Sequence, residues 1–368
     1  MREQLLLCVK LNHRPTSGSI VRMVRFPVMN PAALYFASGD ALYSGGVLLL
    51  LAIVSSPYLK RRWMLLARNI ASWSALALMV MACPPLSWLV GVMFLALFSA
   101  WFIASNIARP SATLVRLRLG AAIVLFLSVL TLTASELAHR KMPLITGLPS
   151  DHLAVIGDSI SSGIDLRSPA WPTIFQQITG VPVKNVSKPG AGVIDGRAMA
   201  ERITPDDRIV LIEIGGNDLL SGTPSVEFGR NLDRLLSKLA VPERTIVMFE
   251  LPLMPNRIAY GRIQRRLASR YGVWLIPKHY FVEVLGGSNS TLDGLHLSRN
   301  GVRQMALLVA GFLSSVMKST ALFRGPGWAP DGLQNRPSAH EAQRTLRTPK
   351  TDGPELFGRN GRECQSPL

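Results

Sequence analysis

The chain has 368 residues, enough for two or three structural units, and 48% of them are apolar. Its 40 Lys and Arg against 23 Asp and Glu leave a net charge of +17. That surplus is spread along the chain without a dense basic run carrying interleaved aromatics, which argues against a nucleic-acid partner. The three cysteines, Cys8, Cys83 and Cys364, lie in different regions with no metal-ligand spacing, so neither a disulfide framework nor a metal site is expected.

Residues 1–30 carry Arg2, Lys10, Arg14, Arg22 and Arg25 and lack the apolar core of a cleavable signal peptide. Residues 31–149 hold four apolar segments: Ala41 to Ser56 with a weaker lead-in from Ala32, Asn69 to Cys83, Leu86 to Ser105, and Leu119 to Leu137. Crossing ~30 Å of hydrocarbon takes roughly 20 apolar residues. The last two segments meet that length, the first meets it with its lead-in, and the second meets it from about Trp63 with Arg68 snorkelling to the interface. Four such segments in a row predict a transmembrane region. "CPPLS", Cys83 to Ser87, then makes the turn between spans two and three, because proline ends a helix.

Loop charge orients these spans. Lys60, Arg61, Arg62 and Arg68 lie between spans one and two, and Arg109, Arg116 and Arg118 lie between spans three and four. Positive loops stay in the cytoplasm. The expectation is a multi-pass protein of the bacterial inner membrane with both chain ends and the soluble half on the periplasmic side. His139, Arg140 and Lys141 run against this pattern, as do the five basic residues near the N-terminus. Translation from Met29 removes the second conflict.

From Asp151 the pattern changes to strands alternating with helices. Strands are expected at 153–157, 181–187, 208–215, 244–251 and 273–277, and helices at 170–180, 194–203, 225–240, 260–272 and 299–317. Strands linked by helices imply crossovers, a parallel sheet and an α/β fold of three αβα layers with about five strands. The domain is expected over 150–320, followed by a disordered tail over 321–368 rich in Pro, Gly, Arg and Gln. In such sheets ligands bind beyond the carboxyl ends of the strands.

Four polar clusters fall at or near those ends: Gly157-Asp158-Ser159, "NVSKPGAG" at 185–192, "GGND" at 215–218, and "TLDGLHLS" at 291–298. Alone, each is a helix cap or a turn. Together they contain every part an acyl-transfer site needs. Ser159 at a helix N-terminus serves as nucleophile. His296 accepts its proton, and Asp293, three residues earlier, holds the imidazole. The Ser159 and Gly190 N–H groups and the Asn217 amide serve as oxyanion donors, with Gly192 as the alternative to Gly190. No cofactor is required.

These blocks resemble those of the SGNH (GDSL-like) hydrolase superfamily, over roughly Leu153 to Leu313. Ser159, Gly190, Asn217 and His296 are its four eponymous residues. "IEIGGNDLLSG" and "SPAWPTIFQQ" look closest to the bacterial arylesterase and thioesterase–lysophospholipase branch. The resemblance implies a flavodoxin-like sheet, a Ser-His-Asp triad, no metal, and activity on esters or thioesters, lipid esters among them. The membrane half departs from that branch, whose members are commonly single soluble domains. The expected function is a membrane-anchored serine ester hydrolase with its site outside the cytoplasm. The alternatives are an O-acyltransferase that passes the same acyl group to an envelope glycan, and a membrane scaffold carrying a retired hydrolase domain.

Overall fold

The structure, a computed structural model, describes residues 30–107, 110–147, 150–163, 169–253 and 257–317. All of these lie in one compact unit, Met1–Phe323, while the second unit, Arg324–Leu368, lies outside the described residues. The expected start at Met29, the basic residues before it, Arg109 and the tail over 321–368 also lie outside them.

Five helices open the chain: α1 Pro31–Ala37, α2 Asp40–Ser55, α3 Arg62–Met81, α4 Trp88–Asn106 and α5 Ala112–His139. The apolar lead-in does not extend the first span as expected. It forms α1, bent by 80° from α2. Gly39 makes the break with φ of +85°, a left-handed conformation that costs glycine nothing. By length and composition α3, α4 and α5 can cross a membrane, and the bent pair α1–α2 makes up to four. Their most apolar stretches are only 28%, 22% and 11% buried within the protein. An outward apolar surface of that extent calls for an apolar surrounding.

Helices α2 to α5 pack around Leu49, Ala75, Phe98, Trp101, Leu125 and Val129. Gly45 permits the close approach of α2 to α3, since an added Cβ would stand 2.7 Å from the Ala75 carbonyl oxygen. Arg68 does not snorkel. It is 4% exposed and donates to Ser56 Oγ, the Ser105 carbonyl and Asn106 Oδ1, because these three acceptors converge on it inside the bundle. The turn after α3 falls at Cys83 to Ser87 as expected.

The second half alternates as the sequence predicts: β1 Leu153–Gly157, α6 Ser159–Ser162, α7 Trp171–Thr179, β2 Val183–Asn185, α8 Val193–Glu201, β3 Ile209–Glu213, α9 Gly216–Ser221, α10 Ser225–Leu239, β4 Thr245–Phe249, α11 Ile258–Tyr271, β5 Trp274–Ile276, α12 Lys278–Gly286 and α13 Arg299–Leu313. The five strands are parallel, in the order β2-β1-β3-β4-β5. This is the flavodoxin-like order. Alternate residues of each strand feed two cores. Ala154, Ile156, Val210 and Ile212 join α8, α10 and α11 on one face. Leu153, Val155, Ile209 and Leu211 join α7, α12 and α13 on the other. Burial on both faces is why these strands read as continuous apolar runs. The order reverses between β1 and β3, so the loops after those two strands flank the crevice where doubly wound sheets hold ligands.

The helical bundle and the sheet meet through partly buried charge. Arg265 of α11 grips Glu136 of α5 with two bonds of 2.7 and 3.0 Å and donates through Nε to Glu250 at 2.6 Å. Arg140, one of the charges that ran against the loop pattern, lies 2.5 Å from Asp40 and over the Tyr43 ring. Helix α12, which the sequence pattern did not predict, runs along α1. An added Cβ would touch Lys278 at Gly39 and Leu34 at Gly286.

Candidate active site

Strand β1 ends at Gly157, where the chain turns sharply into α6. A Cβ there would stand 2.6 Å from the Ser161 side chain and 2.9 Å from the Glu213 carbonyl oxygen, so only glycine fits. Asp158 caps α6, its Oδ1 accepting from the Ile160 N–H at 3.0 Å. Ser159 is thereby the first residue of a helix beyond the carboxyl end of β1, the strand beside the central one. His296 arrives from the far end of the chain, in the loop between α12 and α13. Ser159 and His296 both line one cavity of about 450 Å³, together with Ile160, Gly163, Leu292 and Leu297.

Asp293 folds its own loop around His296. Its Oδ1 accepts from the Leu295 and His296 N–H groups at 2.9 and 2.8 Å, and its Oδ2 lies 2.6 Å from His296 Nδ1. Burial works to raise the Asp293 pKa, but the hydrogen bonds from the His296 backbone, its ring and Leu295 outweigh it and hold the carboxyl below its ordinary value. An ionised Asp293 accepts only, so Nδ1 carries the imidazole proton and the Nε2 lone pair is left to face the cavity.

The two glycine candidates separate cleanly. The Gly192 N–H donates to Asp195 Oδ2 at 3.0 Å, and a Cβ on Gly192 would meet Asp218 Oδ2 at 3.1 Å. Gly192 is thus closely packed at the start of α8. Gly190 is exposed, with φ of +71° and open space where a Cβ would be. The Asn217 amide reaches the same edge from β3 but is engaged internally, donating to Asp158 Oδ2 at 3.2 Å and to the Ala191 carbonyl at 3.0 Å.

Beneath Ser159 lies a pair of carboxyl groups, Asp158 and Glu213, to which the motif analysis gave no role. Glu213, at the end of β3, is buried and accepts from Ser161 Oγ at 2.8 Å, and Ser161 in turn accepts from Trp171 Nε1 at 3.1 Å. Burial, and then the charge of Asp158, push Glu213 well above the usual carboxylate range. Burial also pushes Asp158 up to about 6, against the pull of the Ile160 N–H and of His296. Glu213 is accordingly the protonated partner and hydrogen-bonds Asp158. A charged residue inside the apolar run "RIVLIEIG" was the available signal, since a strand buried on both faces admits a carboxyl only with a partner. Among the described residues no cluster of His, Cys, Asp and Glu is arranged to hold a metal ion.

Comparison with known proteins places this half of the chain. Residues 155–304 match the model of the GDSL-like Lipase/Acylhydrolase family, a stretch that begins after the apolar helices. An arylesterase of Vibrio mimicus is 29% identical over 167 residues, covering 40% of this chain and 80% of that protein. The thioesterase 1/protease 1/lysophospholipase L1 of Escherichia coli K12 is 30% identical over 165 residues, covering 41% of this chain and 77% of that protein. A crystal structure of TesA aligns with 45% of this chain and 99% of its own, at 26% identity and a TM-score of 0.39. The chain belongs to the GDSL-like lipase/acylhydrolase family and is an ester hydrolase of the SGNH type.

Proposed function

We propose that the protein is a membrane-anchored serine esterase or thioesterase that works through an acyl-Ser159 intermediate on the outer side of the cytoplasmic membrane. One observation carries the catalytic part: Ser159 and His296 line the same cavity while Asp293 holds His296 Nδ1 at 2.6 Å. Ser159 Oγ attacks the acyl carbon as its proton passes to His296 Nε2. The developing oxyanion lies within reach of the Ser159 and Gly190 N–H groups, and Asn217 joins them by exchanging its longer bond, to Asp158, for one to the oxyanion. His296 then protonates the leaving group, and water attacks the acyl-enzyme with His296 again as base.

The anchoring part is supported by the three to four helices long and apolar enough to cross a membrane. The side is supported by charge. The hydrolase domain meets the bundle at Asp40, Glu136 and Arg140, whereas Lys60, Arg61, Arg62, Arg116 and Arg118 lie toward the opposite end. Positive loops are retained in the cytoplasm. Fluorophosphonate labelling of intact spheroplasts tests both parts. A membrane-impermeant probe labels the protein, and Ser159→Ala abolishes the labelling. Labelling that persists in Ser159→Ala removes the nucleophile assignment, and labelling seen only after lysis reverses the side.

A further inference from the structure

The strands of the hydrolase sheet point at the helical bundle. After Arg140, held at the bundle by Asp40, the chain climbs past Gly147, where an added Cβ would touch Thr245, the first residue of β4. It pairs Ser150 with Met317 and enters β1 at Leu153. Strand β1 therefore runs back toward the bundle. Glu250, just past the carboxyl end of β4, is tied through Arg265 to Glu136 of α5, and Pro85 of the α3–α4 turn faces Gly261 of α11. Adjacent strands are ~4.8 Å apart, so the end of β1, with Ser159, lies about 10 Å across from the strand bound to the bundle. Helix α12, which lies along α1, leads directly into the loop of Asp293 and His296. Since α1 is turned 80° from α2, both helices lie across the end of the bundle.

The apolar surface of the hydrolase domain is gathered on the same edge. Among its described residues the exposed large apolar side chains are Ile194, Leu220, Val226, Val241, Leu292 and Leu295, exposed by 64, 48, 71, 41, 59 and 37%. All but Val241 follow a carboxyl strand end or line the catalytic loop. Ile194 and Leu220 follow Gly190 and Asn217 closely in the chain, and Leu292 and Leu295 immediately precede Asp293 and His296. An apolar rim around a mouth that faces the end of an apolar bundle needs a partner continuous with the surroundings of that bundle.

We infer that this rim is a lipid-facing surface: Ile194, Leu220, Leu292 and Leu295 rest in the outer leaflet, and Ser159 takes its ester from the bilayer surface instead of from bulk water. The inference rests on the proposal that the apolar helices span the membrane. The test uses the full chain in vesicles of phosphatidylethanolamine and phosphatidylglycerol. A dansyl amino acid is placed singly at exposed positions 194, 220, 295 and 241, and at 92 on the outer surface of α4. Acyl-chain spin-labelled lipid is the quencher. Strong quenching at 194, 220 and 295 with none at 241 supports the inference. Emission at 194, 220 and 295 as aqueous as at 241, with 92 quenched, overturns it and leaves the spans standing. An aqueous position 92 overturns the spans and the inference together.

Discussion

Replacing Asp158 by Asn probes the carboxyl pair beneath Ser159. Asp158 is 3% exposed, and burial raises its pKa from 3.8 to about 6. A folded-state pKa above the unfolded one means that the native state binds the proton more tightly. Its contribution to stability is full below 3.8 and is lost as pH rises through 6. A shift of about 2 units at 1.36 kcal/mol each is a loss of about 3 kcal/mol between about pH 4 and about pH 7. Wild-type stability alone does not reveal it, because other groups titrate in the same window. Buried His279 has its pKa lowered to about 4 and contributes with the opposite sign, and Asp218, raised by burial, contributes with the same sign as Asp158.

The difference between Asp158→Asn and wild type cancels His279 and keeps the carboxyl pair, in which Glu213 loses the push of the Asp158 charge but is still held above the usual carboxylate range by burial. The variant carries a fixed penalty, since an amide at 158 meets the Asn217 amide where a carboxylate accepted it. That offset is independent of pH and the slope is not. Urea unfolding of the detergent-solubilised full chain, followed by tryptophan fluorescence, should show the variant gaining about 3 kcal/mol on wild type from about pH 4 to about pH 7. Parallel curves for the two proteins would refute the reasoning, and a difference falling with pH would reverse its sign.

Asp293→Asn should lower kcat by about 10⁴ with little change in KM, because an amide fails to hold the proton on His296 Nδ1; steady-state hydrolysis of a p-nitrophenyl ester reads this. Gly157→Ala should destabilise the domain by about 1–3 kcal/mol in chemical denaturation, since the Glu213 carbonyl is backbone and has no room to withdraw. Arg265→Met leaves Glu136 and Glu250 facing each other in a buried junction and should cost about 3–5 kcal/mol, read as a lowered melting temperature; adding Glu136→Gln should recover part of it. His279→Phe should gain on wild type as pH falls from 6.5 toward about 4, because over that range only the unfolded wild-type chain takes up a proton at 279 while the buried imidazole stays neutral; a flat difference in melting temperature across that range counts against this.

The fold was legible where one side chain's environment repeats along the chain. Leu153, Val155, Ile209 and Leu211 sit on strands buried on both faces, and the helix bearing Phe228, Leu232, Leu235 and Leu236 buries a single stripe, so period and length identified each element. The extent of the short elements escaped for the same reason, although the helix start at Ser159 was legible from Gly157-Asp158-Ser159. Four residues of α6 and six of α9 present no period, and α12 follows β5 so closely that its start reads as the end of the strand. The break at Gly39 escaped because one glycine in an apolar helix is common, and only its φ of +85° distinguishes a corner from a tolerated substitution. The candidate site was legible as residue types at strand ends. The closeness of Gly192 to Asp218 and the double engagement of Asn217 were not, since both depend on the distance between loops that the sequence does not order.

Charge is where tertiary pairing adds most to what the sequence shows. Arg140 looked like a violation of the loop-charge pattern, yet it lies 2.5 Å from Asp40, which is 100 positions earlier. Residues 31–149 contain two acids, Asp40 and Glu136, and both stand at the end of the bundle that meets the hydrolase domain, each engaged by an arginine. At the other end Arg68 and Arg118 find hydroxyl, amide and carbonyl oxygen, on Ser56, Ser105 and Asn106, in place of carboxylate. The pairing with Asp40 accounts for where Arg140 sits in the fold and leaves the orientation argument where it was, because orientation follows the number of Lys and Arg in the short loops and acids contribute little to it. Lys60, Arg61, Arg62, Arg116 and Arg118 at one end outnumber Arg140 and Lys141 at the other, which supports an outward-facing hydrolase domain.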